Sequence, residues 1–501
     1  MTTTDTARRA RRVAAAGVLA GAAAILGVAA SPWGRELATL ARRDAPARAL
    51  GSPKLRRALL GTGAIALQPP HRITPSHPQP LSLPQGGRGA PPPVRGDSIT
   101  GSEAAAADRC PEIEIATAAP AAEDLPSTLL AAPWRERLPE APLLSLYLDP
   151  CRRQRLEANP FAHGRAFEET GWVTFFDRGR LRLAAAAGVR IHGGDSRKRP
   201  HHSLRLYFDD RYGASGFPAE LLAPNLPGAL GRVVLNRDDG RDRTGRRWLF
   251  VEAINYDVAR RLGVRAPYTR PVALTVDGEP PRIVVLTEQP GPEALRRRLG
   301  HDDFEWLRVK EEPGSADSRR RDELTALIRQ APAPLTAAWA AERFDLDLLV
   351  DWTVAALVCG TGEPFQALTF RDRTGRVAGG RWSWMLWDMD QSFFDTPNFH
   401  RFGVGNDAVG YLFTRRNAGM PPGLLMQRLL REDPGFRRRL AERTLGALRD
   451  ELTPAFFAEL VGGYRLQAQR LGVADLRFLD ALDEFFARRR TELPAEIERH
   501  L

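Results

Sequence analysis

The chain has 501 residues, 43% of them hydrophobic, so it is long enough to bury one large core or two moderate ones. Its net charge is +11, but only 3 of its 72 basic residues are lysines, and the arginines are interleaved with acidic residues. Because no nucleic-acid-binding motif or regular aromatic spacing accompanies this charge, we predict no nucleic-acid partner and attribute the charge mainly to a compositional bias.

The first 30 residues predict a signal peptide or a membrane anchor. Four arginines between Arg8 and Arg12 precede an apolar run from Val13 to Ala30. The small residues before Ser31 fit a cleavage site, and an uncleaved run would just span a membrane. Either outcome predicts an exported or membrane-anchored protein with its folded part outside the cytoplasm. A buried, alanine-rich soluble helix is the alternative.

Residues 31–125 are rich in Ala, Pro, Gly and Arg and predict a low-complexity linker. Such a segment buries too little apolar surface to offset the entropy of ordering it. Of the three cysteines, Cys110 and Cys151 could pair in an oxidising compartment, whereas Cys359 lies in an apolar run and is expected to be a buried thiol.

A folded domain is predicted from Ala141 to Leu501, and its fold class is α+β. The first half favours strands and one helix, and the second half favours helices. Thr453 and Pro454 predict an N-cap and a first helical position. The predicted elements are strands at Leu143–Leu148, Trp172–Phe176, Val189–His192, Ser203–Phe208, Val272–Val276 and Arg282–Leu286, and helices at Glu252–Leu262, Asp345–Cys359 and Leu476–Arg490.

A glycine-rich turn joins the strands Val189–His192 and Ser203–Phe208. Glycine lets backbone amides approach an anion closely, and the basic residues that follow would supply countercharge. The turn predicts a cover for nucleotide phosphates, although an ordinary hairpin with a solvated basic tip has the same pattern. The residues concerned are Gly193, Gly194, Ser196 and Arg197, with Arg205 on the second strand.

An aromatic strand over Trp382 to Asp390, WSWMLWDMD, is predicted to end in Asp388 and Asp390. Strand alternation would place both carboxylates on one face, and Mg²⁺ prefers such hard oxygen ligands together with phosphates. The pair therefore predicts a metal site. A turn with two aspartates at a strand exit is the alternative.

Several segments, in this order, resemble the spore coat protein H (CotH) kinase family over about Pro142 to Leu501. They include APLLSLYLDP, GVRIHGGDSR, HHSLRLYFDDRYG, GVRAPYTRPVALTVDGEPPRIVVLTE, FDLDLLVDW and LWDMDQSFF. The resemblance implies an atypical protein-kinase-like fold with two lobes. It also implies phosphorylation of serines on secreted or coat proteins, with ATP and Mg²⁺ as cofactors.

Roles follow from this resemblance residue by residue. Gly193, Gly194, Ser196 and Arg197 match the family's glycine hairpin and inherit a place near the phosphates. Asp388, with Asp390 beside it, inherits metal binding. Glu288 matches the end of a strand near the nucleotide pocket.

Two segments depart from the family pattern. His201 and His202 stand where the family has a lysine pair, and neutral histidines would offset phosphate charge poorly, so Arg205 or Lys198 would substitute. In the expected catalytic loop, Glu363 stands for an aspartate and Gln366 for an asparagine. Each carries its functional group one methylene further out, and misplacing a catalytic group by about 1 Å can cost on the order of a hundredfold in rate.

Two functions are therefore carried forward. The first is an extracytoplasmic protein serine kinase acting on a secreted or surface protein, with the membrane as a further partner if the N-terminal segment is uncleaved. The alternative is a weakly active or inactive kinase-fold scaffold in a cell-surface or coat assembly. A weaker third possibility is a glycan- or envelope-binding protein that reuses the cleft.

Overall fold

The structure is a computed structural model, and it describes most of the chain from residue 127 onward. The described ranges are 127–199, 201–213, 216–237, 248–307, 316–393, 407–414 and 419–501. All of them belong to one compact unit, residues 100–501. The predicted segments 1–30 and 31–125 lie outside the described residues, so the signal peptide or anchor and the linker stay predictions.

Seven strands close into a barrel in the order β1–β2–β3–β4–β7–β9–β8. Neighbouring strands are antiparallel except for β1 and β8, which are parallel. A three-stranded antiparallel sheet, β10–β11–β12, lies further along the chain, and β5 and β6 form a short separate ladder. The strands are β1 (Leu143–Tyr147), β2 (Glu169–Asp177), β3 (Arg180–His192), β4 (Ser203–Tyr207), β5 (Phe217–Pro218), β6 (Ala229–Leu230), β7 (Arg232–Arg237), β8 (Thr269–Val276), β9 (Arg282–Glu288), β10 (Phe304–Leu307), β11 (Ala367–Asp372) and β12 (Trp382–Leu386).

Helices dominate the second half of the chain. The described α-helices are α1 (Ser127–Leu130), α2 (Ala132–Arg137), α3 (Pro150–Ala158), α4 (Val251–Arg261), α5 (Pro292–Leu299), α6 (Ala316–Arg329), α7 (Ala337–Ala341), α8 (Leu346–Cys359), α9 (Ala408–Leu412), α10 (Pro421–Glu432), α11 (Pro434–Asp450), α12 (Pro454–Arg470) and α13 (Arg477–His500). Within these described ranges, every helix is too short or too polar to cross a membrane.

Two hydrophobic cores hold in place the strands and helices that carry the candidate site described below. The barrel interior is filled by alternate strand residues, such as Leu204 and Leu206, so Arg205 between them points to the outside of the barrel. A larger core surrounds α8 and joins the outer face of β9 to α4 and the C-terminal helices. Helix α4 is therefore clamped between the barrel and the helical half.

The α+β class is confirmed, and the predicted strands and helices overlap the observed ones. The strand β3 begins at Arg180 and not at Val189, and α13 ends at His500 and not at Arg490. Helix α12 begins as predicted, because the Thr453 side chain accepts a hydrogen bond from the Phe456 amide at 3.2 Å. The described fold extends upstream of Ala141, since Leu129 is fully buried against the barrel. Cys151 is disulfide-bonded and Cys359 is a buried free thiol.

Candidate functional site

The glycine turn between β3 and β4 depends on one of its two glycines. Gly193 has φ +109°, and a Cβ there would lie 2.0 Å from Ser196 Oγ. Gly194 has open space around its Cα and a negative φ. A short 3₁₀ turn, Asp195–Lys198, then leads back towards β4. Only Gly193 is thus required by both space and backbone conformation.

Arg197 anchors this turn to the backbone. Its guanidinium donates to the carbonyls of Gly193 at 2.5 Å and Ile191 at 2.7 Å. It also donates to Pro160 at 2.6 Å and Ala162 at 3.0 Å. Four of its five N–H donors are used in this way, so the role that the structure displays for Arg197 is to hold the turn against the segment that follows α3.

Arg205 has a different environment on the outer face of β4. Its Nη2 lies 2.7 Å from His192 Nδ1, and Nη1 lies 3.4 Å from the Tyr207 hydroxyl. Its Nε is buried without a hydrogen-bond partner, and no carboxylate of the described residues lies within ion-pair distance. Burial, followed by nearby positive charges that include Arg190, lowers the pKa of Arg205. Arg205 is a half-buried cation that could receive an anion.

Glu288, at the end of β9, is saturated by partners. It is 1% exposed, and its carboxylate accepts hydrogen bonds from Arg297 at 3.0 Å and from Arg298 at 2.7 and 2.5 Å. These arginines lie on α5, so the contacts fasten that helix to the barrel.

The histidine pair does not replace the family's lysines. The Arg282 guanidinium lies 3.2 Å from His201 Nδ1 and 3.4 Å from the carbonyl of His202. Burial is the main cause that lowers the pKa of His202 and favours its neutral form.

Glu252 and Tyr256 form a buried polar cluster that sequence reasoning did not find. Glu252 Oε1 accepts a hydrogen bond from the Tyr256 hydroxyl at 2.5 Å, and Oε2 accepts one from Asn236 Nδ2 at 2.7 Å. Burial, with a smaller contribution from Asp388, raises the pKa of Glu252 to about 7. A buried carboxylate with a perturbed pKa in a cleft marks a candidate functional site.

Asp388 and Asp390 follow β12 but are not part of it. The strand ends at Leu386, and Asp388 has φ +62°, so the strand alternation that would align the two carboxylates stops before them. Asp388 is half-buried and Asp390 is exposed. No group of three or more His, Cys, Asp or Glu side chains suited to a metal occurs among the described residues. One or two carboxylates with phosphates remain sufficient for Mg²⁺.

The predicted catalytic loop meets the segment around Asp388. Gln366 Nε2 donates to Glu363 Oε2 at 2.9 Å, and Gln391 Nε2 lies 3.4 Å from the same oxygen. The Trp387 amide donates to the Gln366 carbonyl at 3.1 Å. The two predicted catalytic residues therefore contact each other and flank the predicted metal residues.

A ring contact brings the glycine turn to the same place. His192, the residue before Gly193, has its ring centroid 6.1 Å from that of Trp387, the residue before Asp388. The turn, Arg205 and the Asp388 segment are thus linked through the contact of His192 with Trp387, while Arg197 and Glu288 are engaged in structural contacts.

Comparison with models of known protein families identifies the family of this chain. The model of the CotH kinase protein family matches residues 189–475, more than half of the chain. The chain belongs to the CotH kinase family. The match includes the glycine turn, Glu252, the catalytic-loop candidates and Asp388, but it begins within β3 and stops before α13. A search of curated proteins gives no significant match to this CotH kinase family member.

A helical spacing signal could have revealed the buried cluster. Glu252 and Tyr256 are four residues apart on the helix predicted from the sequence, so they share one face. That face reads as an ordinary core face until the partner, Asn236 of β7, is known.

Proposed function

We propose that the protein is an extracytoplasmic protein serine kinase that transfers phosphate from Mg²⁺–ATP to secreted or surface proteins. In this proposal the barrel and the helical half are the two lobes of a kinase-like fold. The observation that carries it is the contact of His192 with Trp387. Through His192 it brings Arg205, a half-buried cation without a carboxylate partner among the described residues, near the segment of Asp388. Phosphoryl transfer requires those two kinds of group.

The residues present fit a nucleotide polyphosphate. Arg205 has a buried Nε without a partner and, among the described residues, no carboxylate within ion-pair distance. A phosphate group would supply both missing interactions. Gly193 and Gly194 would allow close approach of backbone to the phosphates, with Ser196 beside them.

Asp388 and Asp390 would hold Mg²⁺, which supplies charge neutralisation to the phosphates when bound. Glu363 would accept the proton of a protein serine hydroxyl as its oxygen attacks. Gln366 donates to Glu363 and would fix the direction of the carboxylate. Such a base must lie within hydrogen-bond reach of the hydroxyl.

The cellular location is part of the same proposal. The disulfide at Cys151 suits an oxidising compartment, in agreement with the export signal predicted in residues 1–30. The acceptor would be a secreted or surface protein, and the membrane would be a further partner if the N-terminal segment is retained.

An inactive scaffold is the second candidate, and three observations favour it. Arg197 and Glu288 have structural partners, and Glu252 is buried with no cation within ion-pair distance in the described part of the chain. A kinase fold that keeps its shape and loses nucleotide chemistry would show such features.

Thermal unfolding with and without Mg²⁺–ATP separates the two candidates. A ligand that binds only the native state raises the melting temperature by mass action. We expect a rise that requires Mg²⁺ and that disappears in Asp388→Ala. The exposed Asp450→Ala serves as the matched control and should retain the rise. No rise at millimolar ATP in the folded wild-type protein would contradict the kinase proposal and favour the scaffold.

A further inference from the structure

The hydroxyl of Tyr256 connects Glu252 to the backbone of Asp388. It donates to Glu252 Oε1 at 2.5 Å and accepts a hydrogen bond from the Asp388 amide at 3.1 Å. Tyr256 is completely buried, so this hydroxyl has no solvent to replace either partner. Both partners are polar groups of the candidate site, and one of them is backbone.

The backbone at Asp388 needs such a partner. Its φ of +62° lies in the left-handed region, which residues other than glycine adopt much less readily. A strained conformation persists only where surrounding contacts determine it. Within the described residues, the Asp388 amide donates its hydrogen bond to the Tyr256 hydroxyl. That hydroxyl is oriented because it donates its own hydrogen bond to Glu252.

Glu252 is itself fixed from two sides. Asn236 of the barrel donates to its second oxygen at 2.7 Å, and the backbone amide of Met389 stabilises its charged form. A continuous chain of contacts therefore runs from β7 through α4 to the residue expected to bind Mg²⁺. Since each member has its partners in place, this polar network is suited to hold a single geometry.

We propose that Tyr256 is a positioning residue that holds the left-handed turn at Asp388 and so directs the Asp388 carboxylate towards a divalent cation. This inference rests on the proposed function. The side chain acts through the backbone of Asp388 and touches no substrate.

A second tyrosine on a neighbouring helix provides the matched control. The hydroxyl of Tyr464 donates to Asp257 Oδ2, also on α4, at 2.7 Å. The Tyr464 ring stacks on Phe250 at the start of α4, with a centroid distance of 5.5 Å. Tyr464→Phe removes a buried hydroxyl from the same helix contact region without removing any contact to Asp388.

The test compares the full-length wild type with Tyr256→Phe and Tyr464→Phe. Binding of a fluorescent ATP analogue is titrated with Mg²⁺, and hydrogen exchange of the peptide that contains Asp388 is measured without ligand. We expect the Mg²⁺ midpoint to rise about tenfold in Tyr256→Phe and to stay unchanged in Tyr464→Phe. Exchange around Asp388 should become faster only in Tyr256→Phe. A merely structural role would lower the melting temperature and leave the Mg²⁺ midpoint where it is.

The outcomes separate this inference from the proposed function. A wild-type protein that binds the analogue, together with an unchanged Mg²⁺ midpoint in folded Tyr256→Phe, would overturn the positioning role alone. A wild-type protein that does not bind the analogue at any Mg²⁺ concentration would overturn the proposed function, and the positioning role with it.

Discussion

Two buried glutamates at different corners of the barrel differ in how their charge is balanced. Glu288 at the end of β9 receives hydrogen bonds from two arginines, Arg297 and Arg298. Glu252 at the start of α4 receives hydrogen bonds from the neutral side chains of Asn236 and Tyr256. The contacts of Glu288 fasten α5 to the barrel. Among the described residues, the Glu252 carboxylate has no cation within ion-pair distance.

Removing Glu288, the glutamate that is paired with arginines, should have the largest effect on stability. In Glu288→Ala, two arginine side chains, 11% and 18% exposed, lose their buried partner. We expect the free energy of unfolding to fall by about 3–5 kcal/mol in urea denaturation, the usual cost of breaking a buried ion pair from one side. The exposed Asp450→Ala should leave the urea midpoint unchanged. A similarly small effect of Glu288→Ala would contradict a stabilising role for these contacts.

Glu252, the glutamate without an arginine partner among the described residues, should make the free energy of unfolding depend on pH. The pKa of Glu252 is raised from 4.5 to about 7, chiefly by burial. A raised pKa contributes stability that is complete below the ordinary value and is lost as pH rises through the folded-state value. Between pH 4.5 and pH 8, the wild type should therefore lose about 3 kcal/mol relative to Glu252→Gln.

Urea denaturation at several pH values, with EDTA to exclude metals, measures this difference. The exposed Glu442→Gln serves as the control for loss of one carboxylate, and its difference from the wild type should not vary with pH. A pH-independent difference for Glu252→Gln would mean that the Glu252 charge is balanced as fully as that of Glu288.

Like the contacts of Glu288, the glycine turn is expected to stabilise the fold, and Gly193→Ala tests this role. A Cβ at a φ of +109° is strained, and it would meet Ser196 Oγ at 2.0 Å. We expect a loss of about 2 kcal/mol in the free energy of unfolding. Gly463→Ala in α12, where a Cβ has open space, should instead stabilise by about 0.5–1 kcal/mol. Equal behaviour of the two variants would contradict a turn fixed by Gly193.

Local patterns predicted much of this fold. The alternation in β4 and the N-cap at Thr453 both depend on neighbouring residues, and each lies where it was expected. The strand β12 begins as expected but ends at Leu386, before the two aspartates. The α+β class followed from these local signals. The strand β10 was missed, and its pairing partner β11 is distant in the chain. The strand β11 was also missed, although it pairs with the nearby β12.

Long-range contacts explain why the site was only partly predictable. Arg197 reads as a phosphate ligand in sequence, but its carbonyl partners at Pro160 and Ala162 lie 37 and 35 residues away. Asp388 was found because it follows an aromatic strand. Glu252 was missed because its significance depends on Asn236, on another element, and on its complete burial.

The last prediction concerns Arg205, another charged side chain without an oppositely charged partner among the described residues. Arg205→Gln removes the cation that has no carboxylate at ion-pair distance in the described part of the structure, and it keeps polar atoms near His192. We expect the Kd for Mg²⁺–ATP to rise about tenfold, since a charge-assisted hydrogen bond contributes about 1.5–3 kcal/mol. Isothermal titration calorimetry measures this change. Arg182→Gln, on the exposed part of β3, is the control for loss of one positive charge and should bind like the wild type.

Thermal unfolding of the same variants gives the decisive contrast. A partly desolvated cation without a carboxylate partner among the described residues destabilises the ligand-free protein. Arg205→Gln should therefore keep or raise the melting temperature while it weakens nucleotide binding. Loss of affinity without loss of stability would assign the charge of Arg205 to a ligand. Loss of stability with unchanged affinity would assign Arg205 a structural role and would contradict its proposed contact with a phosphate.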